Sequence, residues 1–290
     1  MLRGAIVVNS FWRGGDERAR EIADALRALG VPVDILRSGS LSLGVGKGLQ
    51  GTFPYSFAVY SDKDDHRARL LEASGVRLFN SAETIRLCDD KMLTHIALAP
   101  YVRQPKTIPS PLFFAGEDGG EFLRNTADAL GFPIVVKKCF GAFGEGVYLA
   151  RNAEDLRALR ASLLREPHLY QEFVDCGGCD VRVITIGGKA VVAMKRRAAT
   201  PGEFRANAEL GGRGEAIPLT EEIREIAETA SRALKADFAG VDLLWDKEGY
   251  LVTEVNSNAH FRLIREVTGV EIAALYAKYI LSEIRKGGEV

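Results

Sequence analysis

The chain has 290 residues, of which 47% are hydrophobic and 27% are charged, and its formal net charge is −1. This length allows one large domain or two to three small ones, and the composition is ordinary for a globular protein. The charges form no basic stripe, which argues against nucleic acid as a partner, and no apolar run reaches the roughly 20 residues that a membrane helix needs.

Short apolar strands and helical patterns alternate over the first part of the chain. Strands are predicted at GAIVVNS, VPVDILR, FAVYSDKD and GVRLFN, and helices at residues 16–29, DHRARLLEAS and SAETIRLCDDKMLTHIALA. Such alternation predicts a small parallel α/β domain. The N-terminal segment is expected to be the first strand of this domain and not a signal peptide.

The Pro-rich segment APYVRQPKTIPSP interrupts that pattern and marks a boundary. A helix at GEFLRNTADALG, a strand at FPIVVKK, a glycine loop and a helix over residues 152–165 are predicted next. From residue 170 on, strands in hairpins dominate, together with long helices at TEEIREIAETASRALK and GVEIAALYAKYILSEIR.

A glycine loop follows the strand FPIVVKK, which ends in Lys137 and Lys138 and precedes Gly141, Gly144 and Gly146. Glycines let backbone N–H groups approach phosphate oxygens, and a lysine adds a positive charge. The loop lacks the Gly-Lys-Ser/Thr end of a Walker A loop. A flexible turn between two strands is the alternative interpretation.

A second hairpin is predicted around the Gly-Gly pair at 187–188. A two-residue turn would align Asp180 with Lys195 and would set Arg182 and Arg197 on one face. Basic side chains on neighbouring strands suit a polyphosphate or a developing oxyanion, although surface ion pairs are the commoner case. The following segment EFRANAELGG adds two polar side chains spaced two residues apart, Arg205 and Asn207.

A third hairpin is predicted in FAGVDLLWDKEGYLVTEVNSN. A three-residue loop ending at Gly249 would place Asp242 opposite Glu254, with Asn256 on the same face. Carboxylates directly opposite each other repel, and Mg²⁺ would remove that repulsion because it prefers oxygen ligands. A solvated strand face with two unlinked acids is the alternative. The mostly apolar face is predicted to hold Val241, Leu243, Trp245, Leu251, Thr253 and Val255.

The four cysteines are expected to be reduced thiols of a cytoplasmic protein. Cys176 and Cys179 form a C-x-x-C, but a structural zinc site usually needs a second such pair, which the sequence lacks. The two residues are therefore interpreted as small side chains in a Gly-rich loop, with a redox role as the alternative.

Together these motifs resemble the ATP-grasp superfamily, and within it the RimK-like ligases of the alpha-L-glutamate ligase type. The matching segments, in the order of that family, are CDDKMLT, GFPIVVKK with its glycine loop, QEFV with GGCDVRV, KRRA with FRANAELGG, and AGVDLL with EVN. The resemblance implies an α/β fold with three parts. These are a small parallel α/β domain at residues 1–90, a central lid subdomain at 91–169 and a C-terminal antiparallel-sheet subdomain at 170–290.

The resemblance also implies the activity. Such a ligase uses ATP and two Mg²⁺ ions, with Mn²⁺ as a substitute, to join a carboxylate and an amine through an acyl-phosphate, and it releases ADP and phosphate. The expected partners are a small-molecule, peptide or protein carboxylate and an amine co-substrate, and the chain is a candidate for a homodimer or homotetramer. A kinase on the same fold and a non-catalytic nucleotide-binding protein are the alternatives.

The site residues that the resemblance implies fall into three groups. ATP would contact Lys91, Lys137, Gly141, Gly144, Gly146, Glu172, Phe173, Val174, Asp180 and Arg205. Residues 172–174 would line the adenine pocket, and Asp180 would bind the ribose. The reacting groups would contact Arg182, Arg197, Arg205 and Asn207. The metal ions would be held by Asp242, Glu254 and Asn256. The family pattern favours Lys137 over Lys138 at the phosphate.

One segment departs from the family pattern. After EVN, familiar members continue with Ala-Ser-Pro-Gly, whereas this chain continues with Ser-Asn-Ala and then His260, Phe261 and Arg262. The added amino acid therefore need not be glutamate, and Arg262 could hold a second carboxylate or a phosphate. For His260, packing or hydrogen bonding is favoured over a role as general base.

Overall fold

A parallel sheet forms the N-terminal part of the molecule, as the alternating pattern predicts. The computed structural model describes residues 2–11, 17–112, 119–142, 144–200, 202–206 and 212–287. Its first elements are β1 (Gly4–Val8), α1 (Glu17–Ala28), β2 (Val33–Arg37), β3 (Gly44–Gly46), β4 (Gly48–Gln50), β5 (Phe57–Ser61), α2 (Asp65–Ala73) and β6 (Arg77–Phe79). Four of these strands pair in parallel in the order β2-β1-β5-β6, and β3 and β4 form a separate small hairpin.

The helix predicted over SAETIRLCDDKMLTHIALA is two helices, α3 (Ala82–Asp89) and α4 (Lys91–Leu98). Asp90 between them has an extended backbone, and its carboxylate accepts hydrogen bonds from the N–H groups of Met92 and Leu93. Asp90 is thus the N-cap of α4, because a short acidic side chain satisfies the free N–H groups of a first helical turn. The break sets Lys91 at the start of a new helix.

A second sheet holds the glycine loop. Its elements are β7 (Thr107–Pro109), α5 (Gly120–Leu130), β8 (Ile134–Lys138), β9 (Val147–Ala150), α6 (Ala153–Ser162) and β10 (His168–Glu172). The strands pair antiparallel in the order β7-β10-β8-β9, and side chains of α5 and α6 pack with those of β8 and β10. Strand β10 crosses the predicted boundary between residues 169 and 170, and the division into domains stays a prediction.

The third sheet is antiparallel. Its elements are β11 (Cys179–Ile186), β12 (Lys189–Arg197), β13 (Arg213–Ile217), α7 (Glu221–Ala233), β14 (Phe238–Asp246), β15 (Gly249–Asn256), α8 (Arg262–Thr268) and α9 (Ile272–Gly287). The strand order is β13-β12-β11-β14-β15. One face packs against α7 through residues such as Val183 and Val241, and the other packs against α8 and α9 through Ile184 and Met194. This alternation of inward side chains is the ordinary period of a strand.

The hairpin of β14 and β15 has a different loop from the predicted one. Asp246 pairs with Gly249, so the loop has two residues and not three. A register shift between Asp242 and Leu243 then leaves Thr253 without an opposite residue and restores Asp242 opposite Glu254. The predicted pairing of the two acids is therefore confirmed. The bulge adds one residue to β15, which makes up for the residue that the shorter loop lacks.

The same bulge changes the apolar face of this hairpin. Val252, and not Leu251, packs in the core with Val241, whereas Leu251 pairs with Leu244. Thr253 instead lines a cavity that lies among the three sheets. The prediction that Leu251 and Thr253 share the apolar face is wrong, because a shift of one residue turns side chains to the opposite face.

The hairpin of β11 and β12 has the predicted two-residue turn, but a register shift near Ile184 changes the pairing beyond it. Asp180 lies opposite Arg196 and not Lys195, and Arg197 lies opposite Cys179. The expectation that Arg182 and Arg197 share a face is therefore wrong, since Arg196 takes that face.

Asn80 joins the first sheet to the third. Its side-chain oxygen accepts hydrogen bonds from the N–H groups of Asp237 (2.6 Å) and Phe238 (3.0 Å). Its amide donates to the carbonyl groups of Phe238 (2.7 Å) and Ser257 (2.9 Å). These bonds fix the end of β6 against β14 and against the segment that follows β15. Within the described residues, no helix combines the length and apolarity that a membrane crossing needs.

Candidate active site

A cavity of about 1570 Å³ lies among the three sheets and receives side chains from each of them. Asp62 and Lys63 come from the end of β5, Lys137 from β8, Gln171 from β10 and Asp242 from β14. The predicted site residues that line this cleft are Lys91, Lys137, Gly144, Glu172, Phe173, Val174, Asp180, Arg182, Arg197, Arg205, Asp242, Glu254 and Asn256. Gly141 and Gly146 lie in the loop at its edge, and Asn207 lies outside the described residues.

Asp242 is the centre of the charge network in the cleft. It is only 4% exposed, and its carboxylate accepts two bonds from Arg182, one of them at 2.7 Å from Nη2 to Oδ2. Nη2 of Arg196 lies 3.1 Å from the same Oδ2. Burial alone would raise the pKa of Asp242, but the two guanidinium groups outweigh it and hold the pKa below its ordinary value. Asp242 is therefore ionised at neutral pH.

Glu254, directly opposite Asp242, has a lysine partner. Nζ of Lys91 lies 3.5 Å from its Oε1 and also donates to the carbonyl of Gly141 at 3.3 Å. Burial and the charge of Asp242 would raise the pKa of Glu254, but Lys91 and Lys137 lower it below the ordinary value. The two facing carboxylates thus both stay charged, because the surrounding cations compensate their repulsion.

Lys137 and Lys138 point to different surroundings. Lys137 lines the cleft, and its burial lowers the pKa to about 8, against the opposing effect of Glu254. Lys138 lies 3.5 Å from Glu166 on the far side of the strand. Of the two lysines, Lys137 is therefore the one that lines the cleft, and it is also the one that the family pattern favours at the phosphate.

His95 is a buried, neutral histidine near Lys137. The amide nitrogen of Gln171 lies 3.0 Å from Nε2 of His95, and Nδ1 of His95 lies 2.6 Å from the side-chain oxygen of Gln104. These partners assign the proton to Nδ1. Burial, with the positive charge of Lys137, lowers the pKa of His95 to about 4. His95 therefore adds no positive charge, and sequence reasoning gave it no place in the site.

Arg196 is a site residue that sequence reasoning missed. It is 4% exposed and binds both oxygens of Asp180, at 2.7 Å and 2.6 Å, in addition to Asp242. Burial raises the pKa of Asp180, and Arg196 opposes that rise. A fork of two parallel bonds fixes Asp180 and Asp242 relative to each other. Arg197, which the resemblance places at the reacting groups, also lines the cleft but is exposed and lies on the other face of β12.

The glycine loop and Arg205 contact each other across the cleft. Gly144 has a φ of 78°, in the left-handed region that favours glycine, and its carbonyl accepts a bond of 3.1 Å from Nη1 of Arg205. Arg205 also binds both oxygens of Glu203 at 2.9 Å, which lowers the pKa of Glu203 to about 2. The loop and the segment after β12 are thus already joined by one hydrogen bond.

The segment after β10 forms the other end of the cleft. Glu172, Phe173 and Val174 line it, and Glu172 accepts a bond of 2.7 Å from the N–H of Lys106. The ring of Phe173 lies edge to face with that of Phe204, with ring centres 6.2 Å apart. This end therefore has an apolar wall beside backbone polar groups, which suits a flat heterocycle.

Both cysteines of the C-x-x-C bond to the backbone. Sγ of Cys176 donates to the carbonyl of Trp245 at 3.2 Å and accepts from its N–H at 3.3 Å. Sγ of Cys179 donates to the carbonyl of Gly177 at 3.7 Å. The contacts of Cys176 attach the Gly-rich loop to β14, and the contact of Cys179 lies within that loop.

The donor set opposite the glycine loop fits a divalent cation. Asp242 and Glu254 face each other across two strands, and the amide nitrogen of Asn256 lies 3.5 Å from Oδ2 of Asp242, so three oxygen-bearing groups converge. Carboxylate and amide oxygens are the ligands that Mg²⁺ takes together with substrate phosphates. Lys91 and Lys137 stand beside the set, where phosphate oxygens would need positive charge.

Comparisons with known proteins match most of this chain. The family model described as the RimK-like ATP-grasp domain matches residues 88–280. Beta-citrylglutamate synthase B of Danio rerio is 33% identical over 257 residues, which cover 85% of this chain and 62% of that protein. N-acetylaspartylglutamate synthase A of Homo sapiens is 33% identical over 229 residues, which cover 78% of this chain and 57% of that protein. The chain thus spans less than two thirds of the length of either relative.

Solved structures share the fold at low sequence identity. An ATP-grasp RimK domain protein from Sphaerobacter thermophilus matches with a TM-score of 0.72 at 19% identity, over 96% of this chain and 99% of that one. A D-alanine–D-alanine ligase from Bacillus anthracis matches with a TM-score of 0.74 at 16% identity, over 99% of this chain and 98% of that one.

Proposed function

The chain belongs to the RimK-like ATP-grasp family, and from this premise we propose that it is an ATP- and Mg²⁺-dependent ligase that joins a carboxylate to an amine. The observation that carries the proposal is the pair of facing carboxylates, Asp242 and Glu254, with Lys91 and Lys137 beside them in one cleft. Paired acids with nearby lysines suit a metal-bound polyphosphate. Asp242, Glu254 and Asn256 would hold two Mg²⁺ ions, or Mn²⁺ in their place, and the bound metal would neutralise phosphate charge during transfer.

The chemistry proceeds in two steps. A carboxylate is a poor electrophile, so its oxygen first attacks the γ-phosphorus of ATP, which breaks the bond to ADP and gives an acyl-phosphate. The amine then attacks the acyl carbon, and inorganic phosphate leaves as the amide forms. Lys91 and Lys137 would stabilise the negative charge on the transferred group, because both are basic side chains in a site sheltered from water.

Residues of the cleft orient ATP in this proposal. Adenine would lie against Phe173 and Val174, with backbone groups at Glu172 as hydrogen-bond partners, and the ribose would meet Asp180. Gly144 would bring its loop over the phosphates, and Arg205 would add positive charge there. Closure of such a loop keeps water from the acyl-phosphate, which would otherwise hydrolyse.

The arginines of the network take different roles. Arg182 would turn to the acyl-phosphate or to the reacting carboxylate when a cation takes its place on Asp242. Arg196, bound to both Asp180 and Asp242, is a positioning residue that links the ribose end of the cleft to the metal end. Asn207 keeps its predicted role at the transferred group.

The relatives suggest which substrates to try. Their names describe synthases of citrylglutamate and of N-acetylaspartylglutamate, so citrate and N-acetylaspartate are the first carboxylates to test, with glutamate as the amine. The test is incubation of the purified chain with ATP, Mg²⁺ and each pair, followed by mass spectrometry. A ligase releases ADP, phosphate and an amide in equal amounts. A phosphorylated substrate with no free phosphate would indicate a kinase, and no turnover with these pairs or with a cell extract would contradict catalysis.

A further inference from the structure

Among the residues that the structure describes, the buried and half-buried cations that line the cleft have acidic neighbours, with one exception. Lys63 lies 2.5 Å from Asp89, and Arg205 lies 2.9 Å from Glu203. The cations that have Asp242 or Glu254 as a neighbour are Lys91, Lys137, Arg182 and Arg196. The exception is Arg18, on the first turn of α1.

Arg18 bonds only to neutral oxygens within the described residues. Its Nη1 donates to the carbonyl of Ala259 at 3.1 Å, and its Nη2 donates to the side-chain oxygen of Asn258. The guanidinium is half-buried and lines the cleft. Burial lowers the pKa of Arg18 to about 10, so the group is still charged at neutral pH.

The acids closest to Arg18 along the helix are engaged elsewhere. Glu17 lies 3.4 Å from Arg262, and Glu21 lies 2.7 Å from Arg265. No acid of the described part of the chain pairs with the half-buried guanidinium, which costs free energy, and an anion that enters the cleft would offset that cost. Arg18 keeps further N–H groups for such an anion, because a guanidinium has five donors.

Arg18 also stands at the reacting end of the cleft. Asn258 follows the proposed metal ligand Asn256 by two residues, which places their Cα atoms within about 7 Å of each other. Arg262, the other arginine of this segment, is 67% exposed and paired with Glu266 and Glu17, so it is a solvated surface group. Of these two described arginines beside residues 258–262, Arg18 is therefore the sheltered one.

We propose that Arg18 binds a substrate carboxylate that does not enter the amide bond. This inference rests on the proposed ligase function. It restricts the range of substrates, because at least one of them must then carry a second carboxylate that does not react. The group could be the α-carboxylate of an amino acid that serves as the amine, or a second carboxylate of the donor. Arg18 would act as a specificity residue, since neutral analogues would leave its charge uncompensated.

The test is a binding titration that needs no turnover. The full chain is titrated calorimetrically with L-glutamate, citrate and N-acetylaspartate, and with the analogues in which one carboxylate is an amide. Wild type should bind at least one acid on the order of 10- to 100-fold more tightly than one of its amides, the range of a charge-assisted hydrogen bond. The amide that loses affinity tells whether the carboxylate belongs to the amine or to the donor.

Three variants distinguish a role of Arg18 in binding the ligand from a role in holding α1 against residues 258–259. Arg18→Met should abolish the preference for the acid. Asn258→Ala, which removes a neutral partner and leaves the cation, should keep it, and so should Arg20→Met on the exposed side of the same helix. Thermal unfolding of each variant shows whether the fold is retained.

The outcomes distinguish the two proposals. A wild type without preference for any acid over its amides overturns the inference, and so does an Arg18→Met variant that keeps the preference. If the preference depends on Arg18 but no amide product ever forms, the carboxylate site stands and the ligase proposal fails.

Discussion

A change of pH between 7 and 9 tests whether Lys137 is the lysine that contacts phosphate. Burial lowers the pKa of Lys137 to about 8, so its charge is lost within this interval. The groups that act on its pKa are Glu254 and Asp242, which raise it, and Lys91, which lowers it. His95, behind Lys137, is neutral throughout the interval because its pKa is about 4. A bound phosphate should hold the proton on Lys137, because the charged form then gains a partner.

The size of the effect follows from the two protonation states. With a pKa near 8, Lys137 of the free protein is about 90% charged at pH 7 and about 10% charged at pH 9. If bound phosphate raises that pKa by about two units, the Kd of ADP without Mg²⁺ should rise about tenfold from pH 7 to pH 9. The phosphate itself does not change its charge in this interval, because its second pKa lies near 6.

Calorimetric titration of ADP at several pH values measures this change. Lys137→Arg should flatten the profile, because an arginine stays charged, and Lys137→Met should flatten it at lower affinity. Lys138→Met is the matched control and should keep the tenfold change, because Lys138 pairs with Glu166 away from the cleft. A flat profile in wild type, or one that disappears in Lys138→Met, would refute the reasoning.

Four further predictions concern single residues. Glu254→Gln should lower kcat at least about 100-fold and leave thermal unfolding unchanged; turnover within a few-fold of wild type would sink the metal assignment. Gly144→Val should lower kcat but not the affinity for Mg²⁺-free ADP, since φ is 78° there and a β-branched residue adds about 1–2 kcal/mol of strain; full kcat would reduce the loop to a turn. Arg196→Met should lower the free energy of unfolding in urea by about 3–5 kcal/mol, because the buried carboxylates of Asp180 and Asp242 lose a partner. The control Arg197→Met, at an exposed residue, should lower it by about 0.5 kcal/mol. Equal losses would contradict the ion pairs of Arg196 with these two acids. Cys176→Ser should keep activity, and elemental analysis of the wild type should find no zinc; stoichiometric zinc would overturn the structural role of the C-x-x-C.

The sequence was most informative where a regular pattern of hydrophobic residues or an ordered set of motifs predicts the structure. The alternation of strands and helices before residue 90 predicts a parallel sheet, and the structure confirms it with four parallel strands in the order β2-β1-β5-β6. The ordered motifs predict the ATP-grasp fold, which the family match and the shared folds confirm. The pairing of Asp242 with Glu254 is confirmed as well, although through a different loop.

The errors come from local irregularities that a regular pattern cannot reveal. The bulge opposite Ile184 turns Arg196, and not Arg197, toward Asp180 and Asp242, and a count of residues from the turn could not show it. The split at Asp90 was open to prediction, because an Asp-Asp pair before an apolar run is a capping signal. His95 and Gln171 come from distant segments, so their contact depends on tertiary packing alone. The cytoplasmic location, the oligomeric state and the roles of single site residues stay predictions.

Isotope transfer tests the proposed ligase chemistry most directly. The carboxylate donor found in the product screen is labelled with ¹⁸O in its reacting group and incubated with ATP, Mg²⁺, the amine and the chain. If an acyl-phosphate forms and the amine displaces phosphate from it, one labelled oxygen appears in the released inorganic phosphate for each amide bond. Unlabelled phosphate beside a labelled amide product, or label that stays in a phosphorylated substrate, would contradict the account.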